Sequence, residues 1–206
     1  MKIYKIIYFF ISALYIIIVS NVSYANNHNN NLKNVYEHLR NKEFSEALNE
    51  LKTLSQKNKP KAQLLYAKIL YSGEITTQDF EMSYFWANTS KLGGVKKSSN
   101  LLNKLNDLID NENKLKINEK IREFLEKLAL SGNKLAIVQI ARWNLILSPE
   151  ENFENAYKWY NIAVALGIKS ARVKRDEMLD NIENQRLFEI QKESINIFNK
   201  INNLGG

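Results

Sequence analysis

The side chains able to do acid–base, nucleophilic or metal chemistry are few and far apart. The two histidines are His28, inside an asparagine-rich tract, and His38, next to Glu37. Neither has a second histidine at ligand spacing, and H-E-x-x-H does not occur, so the sequence offers no zinc site. There is no cysteine, which excludes disulfides, thiolate metal sites and cysteine nucleophiles. A Ser-His-Asp arrangement would need one of those two histidines, and no G-x-S-x-G is present. Gly93-Gly94 is not followed by G-K-S or by G-x-x-G, so it is no phosphate loop. Glu150-Glu151 reads as solvated surface rather than a catalytic pair. The expectation is a non-enzymatic protein without metal or cofactor.

The elements that must position any binding residues are helical. The chain has 206 residues, enough for one domain with a sizeable core. Only two prolines and seven glycines interrupt it, which favours long helices over many tight turns. Asn152 to Ala171 reads NFENAYKWYNIAVALGIKSA, and shifted back by 73 residues it falls on DFEMSYFWANTSKLGGVKKS. Phe153, Glu154, Tyr157, Trp159, Asn161, Gly167 and Lys169 then meet Phe80, Glu81, Tyr84, Trp86, Asn88, Gly94 and Lys96. So many matches at one offset identify a repeat.

The period follows from the residues that close each unit. Asn58, Gly94, Gly132 and Gly167 are spaced 36, 38 and 35 apart, and asparagine and glycine most easily take the left-handed conformation that ends a helix. Four residues after each comes a small side chain: Ala62, Ser98, Ala136 and Ala171. The units are 32–58, 61–94, 98–132 and 136–167, followed by capping helices over 168–202, all in one domain. The third is degenerate, with Asn118, Ile121 and Phe124 at its markers. Helices are predicted over 32–40, 44–55, 61–71, 80–92, 98–109, 118–131, 133–147, 153–166, 168–181 and 184–201. Ala67 and Ala141 mark close helix crossings. The aromatics Phe80, Tyr84, Trp86, Phe153, Tyr157 and Trp159 sit at helical spacing and read as inter-helix core.

Ala62, Gly73, Asp79, Trp86, Gly94 and Ser98, and again Ala136, Ala156, Trp159, Ala163, Gly167 and Ala171, follow a pattern that resembles the Sel-1-like repeat family, relatives of the tetratricopeptide repeat. Departures are Ala67 and Ala141 in place of a glycine, Ser83 in place of an alanine, and the absence of glycines in 148–151. The resemblance covers about residues 44–200. It implies an all-α, right-handed α-solenoid of antiparallel helix pairs, and a scaffold binding protein or peptide in its concave groove. In tetratricopeptide geometry the residues six after the first three small markers, Lys68, Lys104 and Arg142, face that groove. Lys61 and Lys97, each one before a marker, extend the stripe, although Leu135 breaks the series; Tyr71 is counted with the binding residues. Such a stripe suits an acidic segment or a terminal carboxylate. A solvated lysine face in a lysine-rich chain is the plainer reading of the same cations.

Lys2 and Lys5 precede the apolar run Ile6 to Val19, and Ser23-Tyr24-Ala25 places small residues at a cleavage position. This is the pattern of a secretory signal peptide over 1–25, with 26–31 as a disordered leader. The expected location is periplasmic or secreted. The alternative is an uncleaved helix anchoring a regulator or assembly factor to the inner membrane; membrane contact is expected only in that case. The formal net charge is +7, or +5 without Lys2 and Lys5. Export and the interspersed acids argue against nucleic acid as partner. The sequence leaves the oligomeric state open. An intact mass of the chain from its own cells that lacks residues 1–25 supports the cleaved form; a full-length mass supports the anchor.

Overall fold

A computed structural model describes residues 32–203, so the signal-peptide and leader assignments lie outside the described residues. Among the described residues every regular element is helical. The helices are α1 (32–41), α2 (Phe44–Gln56), α3 (Pro60–Ser72), α4 (Phe80–Leu92), α5 (Ser98–Asn106), α6 (Asn111–Leu130), α7 (Lys134–Ile146), α8 (Phe153–Ala165), α9 (Ala171–Glu177) and α10 (Asn184–Asn203). A 3-10 turn, Leu179–Asn181, precedes α10. The chain divides into two compact units at residues 54/55.

In the first unit α1 and α2 form a hairpin in which Val35, Ala47, Leu51 and Leu54 are buried. Lys42 takes φ 62° at the turn between them. His38 holds this turn: its Nδ1 lies 2.5 Å from Glu43 Oε2, and its Nε2 lies 3.9 Å from Glu50.

In the second unit consecutive helices pack in pairs, α3 on α4, α6 on α7 and α7 on α8, with short connections that make neighbours antiparallel. Beyond its pair partner, α4 also meets α5, α6 and α7, and α10 lies on α8 and α6. One core runs through α3 to α10. In α6 it is built from Ile117, Ile121, Leu125 and Ala129, one residue per turn. Tyr84, Trp86, Tyr157 and Trp159 are buried, as their helical spacing predicts, whereas Phe80 and Phe153 are half-buried. Trp86 meets Phe85 and Phe124 edge-on, at centroid separations of 4.8 and 5.6 Å, an arrangement favoured by ring quadrupoles.

The four closing positions all have positive φ: Asn58 55°, Gly94 92°, Gly132 85° and Gly167 87°. Each small residue that follows is buried. Gly93 is needed for a different reason, close approach. A Cβ there would lie 2.5 Å from Pro60 Cγ.

α4 is covered on nearly all sides, and its buried serine, threonine and asparagine side chains find backbone acceptors within the protein, whereas the Trp86 indole N–H has no partner among the described residues. Ser83 Oγ donates to Ala67 O at 2.7 Å, and Ser90 Oγ donates to Pro60 O at 2.7 Å. Around them lies a chain of amides. Asn58 Nδ2 donates to Gln139 Oε1 at 2.6 Å, Gln139 Nε2 donates to Thr89 O at 3.0 Å, and Gln63 Nε2 reaches Ser55 O and Asn58 Oδ1. Gln63 and Gln139 are fully buried.

Three helices differ from the sequence reading. α6 starts at Asn111 rather than Asn118, because Asp110 Oδ1 accepts from the Asn113 N–H and caps a start seven residues earlier. α5 ends at Asn106, short of Ile109, where the turn to that cap begins. α9 covers only Ala171–Glu177; 168–170 belong to the turn after Gly167, and the 3-10 turn follows buried Met178.

Two outcomes test these contacts. The Glu43 carboxylate, through its hydrogen bond, raises the His38 pKa above 6.5, with coulombic help from Glu50 and Glu46. The hairpin is therefore most stabilised below the ordinary histidine value and loses that contribution as pH rises through the raised one. Imidazole titration by NMR should give a raised value in the native chain and a lower one in Glu43→Gln, where only Glu50 and Glu46 still raise it. Gln139→Leu strands Asn58 Nδ2, at about 1–3 kcal/mol for the group left unpaired, while Thr89 O keeps the Gly93 N–H. The urea midpoint should fall accordingly; an unchanged midpoint refutes the role of the amide chain.

Candidate functional site

The six sequence-selected residues do not form one stripe of equivalent side chains. Lys61 and Lys68 are exposed on α3, and Lys97 is exposed at the start of α5. Tyr71 and Lys104 come together. Tyr71, in the last turn of α3, packs against Phe80 at the start of α4, with centroids 5.7 Å apart. Lys104, in the last turn of α5, holds its Nζ 5.9 Å from the centre of the Tyr71 ring, within cation–π range.

Arg142 is used differently. It is half-buried, and its Nη1 donates to Leu92 O at 2.6 Å, at the C-terminus of α4. It also acts on Tyr160 of α8: burial raises the phenol pKa, and Arg142 pulls it down. Gln139 and Arg142 are one turn apart on α7, and their acceptors Thr89 O and Leu92 O are one turn apart on α4. The two side chains therefore fasten α7 across the end of α4, so Arg142 has a structural partner.

Phe80 extends the Tyr71–Lys104 pair into a hollow of about 420 Å³. The hollow lies between the turn before α4, with Thr77 to Glu81, and the turn before α6, with Leu108 to Asp110 and Asn113. Asp79 Oδ1 accepts from the Met82 N–H at 2.9 Å, and Asp110 Oδ1 from the Asn113 N–H at 2.9 Å. The bond from the Asn113 N–H favours the ionised form of Asp110 and is the main reason that its pKa is lowered. Glu81 adds a third carboxylate, and Leu108 is half-exposed. The site joins a cation on an aromatic platform to a largely polar hollow with three carboxylates, into which Phe80, Leu108 and Ile109 bring apolar surface. It can grip a side chain; it lacks a nucleophile paired with a base.

Two smaller cavities lie elsewhere. One of about 240 Å³ separates α8 from α10, beside Ile195 and Phe198, and one of about 110 Å³ is lined by residues including Arg122, Glu126 and Lys158. Among the described residues no group of three or more His, Asp or Glu side chains is arranged for a metal, and no helix is long and apolar enough to cross a membrane.

Sequence reasoning missed Phe80 and Leu108 as surface residues. Phe80 carries the same spacing as the buried aromatics, and its place at a helix start is the one signal that sets it apart. No family model and no curated protein matches the chain.

Proposed function

We propose that the chain is an exported, non-enzymatic scaffold of Sel-1-like repeats that binds a protein or peptide. The observation that carries the reading is the joint surface of Tyr71, Phe80 and Lys104 beside the 420 Å³ hollow. It is built by three successive helices, as ligand surfaces of stacked helix pairs are. Lys104 suits an acidic group or a terminal carboxylate of the ligand. The carboxylates of Asp79, Glu81 and Asp110 suit a basic or amide side chain next to it. Helix pairing supports the solenoid, and left-handed closing residues at an interval of about 36 residues support the repeat. The right-handed sense and the periplasmic or secreted location belong to the same proposal.

Peptide-library selection on the purified chain tests it. Short extended peptides should be recovered, and Tyr71→Ala with Lys104→Glu should weaken them at least about tenfold, or about 1.4 kcal/mol. Unchanged affinity removes this surface from the site. Unchanged capture after reversing Lys68, Lys104 and Arg142 together removes the cationic stripe as well.

A further inference from the structure

The turns of the second unit are sorted by charge. At one end of the helix pairs lie 57–59, 93–97, 131–133 and 166–170. They carry Lys57, Lys59, Lys96, Lys97 and Lys169, and no carboxylate. At the other end lie 73–79, 107–110, 147–152 and 178–183. The first three carry Glu74 and Asp79, Asp107 and Asp110, and Glu150 and Glu151; the fourth carries Asp180 and Glu183. None of the four has a lysine or arginine.

Contacts tie neighbouring turns into edges. The turns before α4 and α6 share the 420 Å³ hollow. At the opposite end Gly93 abuts Pro60, and Lys134 Nζ donates to Leu166 O at 3.0 Å. Antiparallel connectivity then gives one cationic edge and one anionic edge.

Local helix electrostatics does not produce this sorting. Carboxylates favour helix starts and cations favour helix ends. That rule covers Asp79 and Asp110 as caps. It fails at the starts of α3, α5, α7 and α9, whose first turns hold no acid and where Lys61, Lys97, Lys134 and Arg172 stand instead. It fails again at Asp107, which follows the C-terminus of α5. Lys57, Lys96, Lys169, Asp107, Glu150 and Glu151 are exposed and, among the described residues, form no ion pair.

We infer that the chain binds a second copy of itself, the lysine edge of one copy against the carboxylate edge of the next. The carboxylate row recurs at all four turns of its edge and the lysine row at three of four, 131–133 having none, so both follow the spacing of the helix pairs. One partner uses both edges, whereas a polyanion would use only one. The contact is heterologous, so it builds either a closed ring or an open chain of copies, and its charge complementarity acts mainly through steering and register. Its anionic edge takes in the hollow of the peptide surface proposed above, at Asp79 and Asp110, and the reversals below leave Tyr71, Phe80, Lys104 and the carboxylates of that hollow in place, so the two readings fail separately.

Sedimentation velocity of the full chain tests it. In about 0.01 M salt the screening length is roughly 30 Å, and species of two or more chains should form; in about 1 M salt, at roughly 3 Å, they should dissociate. Lys57→Glu with Lys96→Glu and Lys169→Glu should sediment as single chains in low salt, as should Asp107→Lys with Glu150→Lys and Glu151→Lys. Mixing the two variants should restore association, which also shows that both remain folded. A chain that stays single at every salt concentration overturns the inference. So does association that persists in about 1 M salt or is insensitive to both reversals, and so does a chain that assembles only on added heparin or on anionic vesicles.

Discussion

The second unit depends on a buried amide chain. Asn58 sits in the left-handed conformation at the end of α2 and turns its side chain inward, where it meets Gln63 and Gln139. Gln139 comes from α7, far along the sequence, and its other end is held by Thr89 O. A buried amide without partners carries a large desolvation penalty. Each of these groups therefore fixes the position of the next. Gln139 fits only if α7 lies against the end of α4 and the start of α3. Gly93 permits that approach, because any side chain there would meet Pro60.

The consequence is an irregular stack. In a uniform solenoid each unit touches mainly its neighbours, yet α7 of a later pair reaches α4 directly. Arg142, one turn beyond Gln139, follows it onto Leu92 O. The cation that sequence register assigned to the same groove as Lys104 is thereby engaged as a helix clamp. Lys104 lies over Tyr71 instead. One buried hydrogen-bond chain thus decides which of the candidate cations is available to a ligand.

Much of the fold was legible because its signals are local. Left-handed closure at Asn58, Gly94, Gly132 and Gly167 needs particular residue types, and the helices between follow from apolar spacing. The buried aromatics of α4 and α8 repeat for the same reason. The start of α6 was not legible. The repeat register pointed to Asn118, while the true cap, Asp110, sits in a polar stretch where asparagine and lysine leave no apolar period. The site was legible only in part. Tyr71 and Lys104 were both selected, but their pairing is a contact between α3 and α5 that residue spacing does not reveal. Gln63 and Gln139 gave no signal, since a glutamine at a helical core position looks the same in sequence as one facing solvent. The alternation of turn charges was visible all along, but it has no meaning until the turns are assigned to ends.

Why selection should act on turns in such a molecule follows from how the helices are covered. Ser83 to Ser90 of α4 are buried without interruption, so a central helix has little face left to vary. The ends remain. Antiparallel neighbours oppose their dipoles, and a row of like charges along one edge meets helix starts and helix ends alternately. Favourable and unfavourable terms largely offset along that row. A charged edge therefore perturbs the fold less than the same charges on one isolated helix terminus would. Most charged side chains at the turns are exposed, and either charge can stand there without touching the buried amide chain or the small closing residues. In this chain they are sorted, cationic at one end and anionic at the other, and their separation from the interior makes this sorting compatible with folding.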